Sequence, residues 1–126
     1  MPKSADSSFY DAALNVVKNT AIRQAICAAE PTTFAQIATN RLAEATMTSA
    51  DYTLAAGDAT PTGRKVTIAA KSGLTITGTG TQTANWVVLH DNVGVLIYKT
   101  SCGAQSLVNG GTVNIPTWKI DIAGPS

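Results

Sequence analysis

From Arg64 onward the chain alternates between short Val-, Ile- and Thr-rich runs and short clusters of turn-forming residues. The runs are RKVTIAA (64–70), LTITGTGTQT (74–83), NWVVLH (85–90), VLIYKTSC (95–102), QSLV (105–108), TVNI (112–115) and WKIDI (118–122). The joints are Lys71-Ser72-Gly73, Asp91-Asn92-Val93-Gly94, Asn109-Gly110-Gly111 and Pro116. β-Branched residues suit a pleated, half-buried surface, and Gly, Asn and Asp tolerate tight turns. This spacing predicts a mainly β fold, an antiparallel β-sandwich or jelly-roll-like domain. Within LTITGTGTQT, Gly78 and Gly80 mark a bulge or tight bend in an exposed strand.

The first half is less regular. Ser7-Ser8 followed by FYDAALNVVKN reads as one short N-terminal helix, with Phe9, Ala12, Ala13, Val16 and Val17 on its apolar face. A serine caps its front, Asp11 occupies the first turn, and Lys18 and Asn19 close it. Residues 21–29 alternate Ile22, Gln24 and Ile26 against Arg23, Ala25 and Cys27, which predicts a strand ended by Pro31. Phe34 to Ala38 reads as one helical turn or a loop. Residues 41–48 fit a helix or a strand. Ala43, Ala45 and Met47 opposed to Glu44, Thr46 and Thr48 favour the strand, with Leu42 out of pattern. Residues 56–63 form the longest irregular loop. The domain division is a flexible arm over 1–8 and one β-rich domain over 9–126.

Length permits a sizeable core in a single domain of 126 residues. Charged residues are only 13% of the chain and the net charge is +1, which gives no field to attract nucleic acid or anionic lipid. A surface this weakly charged permits self-assembly. The polar start lacks a secretory h-region, and no run of about 18 apolar residues is present, so a soluble chain made in the cytoplasm is expected. Cys27 and Cys102 read as two small, reduced, buried hydrophobes, with a disulfide between neighbouring strands as the alternative.

No recognised catalytic constellation emerges. GDATPTGRK over Gly57–Lys65 departs from a phosphate-binding loop because a β-branched run follows it instead of a helix. Gly78-Thr79-Gly80 opens no helix either, so it cannot seat a pyrophosphate. His90, the single histidine, reads as a turn residue that hydrogen-bonds locally. One His and two scattered Cys cannot make a zinc site, and Asp51, Asp58, Asp91 and Asp121 do not cluster for calcium. Nothing favours pairing Glu30 with Glu44 as hydrolase carboxylates. Trp86 and Tyr98 fit the core, and Trp118 the core or a sheet edge. No cofactor and no enzymatic activity are expected.

Taken together, SFYDAAL, ICAAEPTTFAQ, TGRKVTIAAKSG, VLIYKTSC and VNIPTWKIDI resemble segments of a family of small virion proteins of tailed bacteriophages. The likeness spans about Phe9 to Ile122 and carries no catalytic signature. It implies a structural component of the particle, a capsid decoration or cement protein on the head surface, with the major capsid protein as partner. A tail or fibre-associated structural or host-binding module is the alternative. Homo-oligomerisation, as a trimer at local three-fold axes, is a further expectation. The N-terminal segment is the expected contact, through Pro2, Lys3, Ser4, Phe9 and Tyr10, together with one sheet face.

Overall fold

The computed structural model describes residues 7–57, 63–77 and 81–122. Over these described residues the chain is mainly β, with two helices and three small antiparallel sheets. In order these are α1 (Ser7–Thr20), β1 (Arg23–Cys27), α2 (Phe34–Asn40), β2 (Arg41–Thr46), a 3-10 turn (Ser49–Asp51), β3 (Tyr52–Ala56), β4 (Arg64–Ile68), β5 (Lys71–Thr75), β6 (Thr81–His90), β7 (Leu96–Val108), β8 (Thr112–Ile115) and β9 (Trp118–Ile122). Strand orders are β2-β1-β6-β7, β3-β4-β9 and β5-β8.

The four-stranded sheet is the centre of the packing. On one side, Leu89 and Ala45 share a cluster with Tyr52, Val66 and Ile68 of the three-stranded sheet, and with Leu14, Val17 and Ala21 at α1. Beside it, Ile26, Ala43, Ala84 and Leu107 meet Ile76, Val113 and Ile115 of the β5–β8 region. On the opposite side, Ala25, Cys27 and Val88 pack against Ile37 of α2. Being covered on both faces explains why every β1 residue after Arg23 is buried, although its sequence alternates.

Several expectations are corrected. The buried face of α1 is Tyr10, Leu14 and Val17, continued by Ala21, whereas Val16 is 53% exposed and Ala12 and Ala13 face solvent. The spacing of i, i+4, i+7 and i+11 is helical, but the stripe centres on Tyr10 and Leu14. Asp11 lies beyond the first turn and instead forms an ion pair with Arg64 of β4, Nε to Oδ1 at 2.8 Å. Phe34 to Asn40 makes a second helix, its start held by Gln36 Oε1, which accepts the Thr32 N–H at 2.7 Å. The fold thus has two helices where one was expected.

LTITGTGTQT is not one strand. Its first residues end β5, its last begin β6 in a different sheet, and residues 78–80 with their glycines lie outside the described residues. Between the two, Ile76 N–H bonds Gly111 C=O at 2.9 Å and Thr77 N–H bonds Leu42 C=O at 2.7 Å. Lys71-Ser72-Gly73 is a bulge inside β5, where Gly73 has φ +68 and its N–H reaches Asn114 Oδ1 at 2.8 Å. The expected strands over 95–102 and 105–108 are one strand, β7. Its Cys102, Gly103 and Ala104 stand opposite Asn85 alone, because Ala84 pairs with Gln105 and Trp86 with Ser101. β3, which the sequence reading passed over, pairs with β4 across the loop of 56–63; residues 58–62 of that loop lie outside the described residues.

The strand reading of 41–48 holds for residues 41–46, and Leu42 has a physical reason. Ile26 pairs with Ala43 and Cys27 with Arg41, so Leu42 is the extra residue of a β-bulge and turns into the core beside Ala43.

Candidate interaction surface

The β6–β7 hairpin carries the most exposed apolar side chain of the described residues. Val93 at its tip is 84% exposed, and Val95 follows at 54%. The tip conformation is fixed by Asp91, whose Oδ1 accepts the N–H groups of Val93, Gly94 and Val95, each at 2.9 Å. These three donors, Gly94 foremost, hold the Asp91 carboxyl below its ordinary pKa. Asn92 adopts φ +60, a left-handed conformation that asparagine tolerates better than most residues. The Asp91-Asn92-Val93-Gly94 joint is therefore a turn as predicted. What the sequence did not disclose is that it displays a valine on a rigid support.

β7 continues from this tip as an edge strand of 13 residues, paired only to β6 among the described residues. Ser101 and the stretch from Gly103 to Ser106 are exposed, and Lys99 is the one charge on the strand. A long, nearly uncharged edge offers backbone donors and acceptors to another chain.

In the second half of β7, beside its bulge, an apolar cleft of about 220 Å³ opens towards β8. Ile26, Val87, Leu107, Val113 and Ile115 form its walls and Cys102 and Gln105 also line it, with no charged side chain among the lining residues. Cys27 and Cys102 are both free thiols. Burial pushes Cys27 up to about 11, with nearby Arg41 opposing; burial also raises Cys102, which is only partly covered.

The outer face of the four-stranded sheet gathers charge around Glu44. Its carboxylate meets Arg41 at 3.1 Å and His90 Nε2 at 2.8 Å, with Arg23 at 3.6 Å. His90 is 2% exposed and its Nδ1 accepts the Asn92 N–H at 3.1 Å. That bond assigns the proton to Nε2, which donates to Glu44, so both ring nitrogens are occupied. Local bonding of His90 was expected; its burial, the edge-on Phe34 ring at 5.5 Å and the Glu44 contact were not. Glu44 lies 46 positions away in sequence, and only strand order brings the two together. A polar groove beside this cluster is lined by Arg41, Glu44, Gly73, Leu74, Thr75 and Thr77.

Other candidate residues fall apart from one another. Glu30 pairs with Lys99 at 2.9 Å, away from the partners of Glu44, and Asp51 pairs with Lys71 at 3.0 Å. Trp118 donates its Nε1–H to the buried Gln24 at 2.6 Å and stacks, tilted, near Tyr98 at 5.9 Å. Trp86, Tyr98 and Trp118 are all partly buried. Pro2, Lys3 and Ser4 lie outside the described residues, and Phe9 lies in α1. Tyr10 is 6% exposed, so its ring anchors α1 from inside and presents no side-chain surface to a partner.

Among the described residues, no group of three or more His, Cys, Asp or Glu could hold a metal ion, and no helix is long and apolar enough to cross a membrane. Comparison with protein-family models, curated protein sequences and solved structures found no match to this chain.

Proposed function

We propose that this chain is a structural virion protein of a tailed bacteriophage, a decoration protein that binds the major capsid protein on the head surface. In this reading the fold works as a β-sandwich, with the four-stranded sheet as one layer and the two smaller sheets side by side as the other. The observation that carries the proposal is the β6–β7 hairpin, a stiff element with a solvent-facing valine tip and a long neutral edge. A preformed contact of this kind costs little ordering entropy on docking. The likeness of the segments between Phe9 and Ile122 to small phage virion proteins supplies the particle context. The reading is non-enzymatic and calls for no cofactor, nucleic acid or membrane.

The test is reconstitution. Purified full-length protein added to heads lacking it should bind saturably, in a fixed ratio to the major capsid protein. Val93→Asp should weaken that binding, because it places a charge where an apolar contact is proposed. Absence of binding to heads, together with a low copy number confined to tails in gel densitometry of virions, would replace this reading with the tail-associated one.

A further inference from the structure

We propose that the chain associates head to tail with a second copy of itself, the Val93 tip of one molecule entering the apolar cleft between β7 and β8 of the next. The two features are separated along one element. Val93 and Val95 precede the first residue of β7, while the cleft is lined from Cys102 in the middle of the strand to Leu107 near its end, and Val108, 55% exposed, follows in sequence. The tip offers an apolar knob already fixed in shape by the three N–H bonds to Asp91. The cleft offers an apolar socket that the described residues of its own chain leave open. Three β7 residues face one β6 residue there, and of these Gly103, which lines the cleft, has no side chain to fill it.

Size and charge agree. The cleft of about 220 Å³ exceeds the roughly 150 Å³ apolar cavity known to accept a benzene ring, so it admits the isopropyl group of a valine. No charged side chain lines it, and the only charge on the tip, Asp91, has an oxygen satisfied by its own turn. The cleft therefore has no charge of its own to strip of water, and Asp91 Oδ1 keeps its three backbone donors at the tip.

A molecule cannot fill its own cleft. The strand from Val95 to Cys102 spans roughly 23 Å at about 3.3 Å per residue, beyond the roughly 7 Å that two bridged Cα atoms allow. The contact joins unlike surfaces, so repeating it builds a ring or a filament and not an isologous dimer. One knob in one socket buries well under the roughly 1,200 Å² of a stable interface, so pairing is weak in dilute solution, and because it uses the same tip that docks on heads it competes with head binding.

A covalent trap reads such a contact directly. Val93→Cys in the full chain leaves the fold intact, since Val93 is almost fully exposed, and Cys27 stays buried. Mild oxidation should give covalent oligomers whose tryptic peptides join position 93 of one copy to Cys102 of another. Their yield should exceed that of an exposed control, Ala12→Cys, by about tenfold or more, because an ordered contact raises effective concentration. Adding Cys102→Ser should abolish them. Predominant 93-to-93 linkage, or a 93-to-102 yield no greater than the control, would overturn the proposal. This experiment uses free protein, so its outcome is independent of whether the chain binds phage heads.

Discussion

Tyr52→Phe removes one hydroxyl from the centre of the main core and leaves the ring in place. Tyr52 is 2% exposed, and its hydroxyl donates to the Ala21 carbonyl at 2.6 Å. That carbonyl closes the end of α1, where Ala21 N–H returns to Val17 C=O at 3.0 Å, and Ala21 itself is 1% exposed. Without the hydroxyl, the carbonyl stays buried and loses its phenolic donor, at a cost of about 1–3 kcal/mol. Taking about 2 kcal/mol, a domain of this size should lose roughly 6–10 °C in Tm. Urea unfolding followed by far-UV circular dichroism should show a lower midpoint with an unchanged m-value, because the buried area hardly changes. The hydroxyl also sets an alkaline limit. Burial, reinforced by the Asp51 charge, raises the Tyr52 pKa well above its ordinary value. A raised folded-state pKa means that this contribution is complete below the unfolded value of about 10 and declines as pH rises above it. The parent should therefore lose stability above pH 10 by up to about 1.4 kcal/mol per pH unit from this group, and the Phe variant should lack that component. A Phe variant within about 0.5 kcal/mol of the parent at pH 7, with the same alkaline slope, would refute the assigned role of this bond.

Leu14→Ala should cost about 2–5 kcal/mol in chemical unfolding, whereas Val16→Ala, on the exposed side of α1, should stay within about 0.5 kcal/mol; equal costs would mean the buried face is misassigned. Gly57→Ala should destabilise by about 1–3 kcal/mol in the same assay, because a Cβ there would lie 2.9 Å from the Gly63 carbonyl carbon and 3.0 Å from the Arg64 nitrogen, both rigid backbone. At Asp51, burial raises the pKa, but the Thr48 N–H and the Lys71 ammonium more than reverse it and leave the group below its ordinary value. A depressed pKa means stability present above about pH 4 and lost as pH falls through the folded-state value, so Asp51→Asn should flatten the acid limb of the stability profile.

The strands after Arg64 were legible because β-branched runs and turn residues alternate at the period the sheets use. What misled was taking Lys71-Ser72-Gly73 and the gap between Cys102 and Gln105 as breaks between strands. Gly73 and Gly103 sit in bulges within β5 and β7, and a bulge and a turn draw on the same residues. The face of α1 was misread for another reason. Alanine and valine satisfy a helical period almost anywhere, and only the larger Tyr10 and Leu14 carry enough apolar area to decide which side is buried. α2 lacked a long periodic stretch, and in the fold it is held by Ile37 and Phe34 against the sheet. β3 carried a signal in Tyr52, Thr53 and Leu54, but its burial comes from pairing with β4, which no local pattern announces.

The candidate surface divides along the same line. Asp91 to Gly94 was recognisable as a turn, since Asp and Asn bond their own backbone there. Whether Val93 then points inward or outward depends on which neighbours reach the tip, and the described residues leave it 84% exposed. The cleft was invisible in sequence because it is made by a difference between strands, two surplus residues on β7 against β6 beside the free side of β8. Glu44 and His90 show the converse. They form the acid–imidazole pair that a catalytic reading would seek, yet the Asn92 N–H fixes the imidazole tautomer, and Arg41 shares the same carboxylate oxygen. A base must have a free lone pair to take a proton. Here the Nδ1 lone pair is engaged by backbone and Nε2 carries its hydrogen towards Glu44, so the pair ties β2 to the end of β6 and steadies the turn that presents Val93. The buried chemistry of this sheet thus fixes the turn on which the exposed Val93 sits.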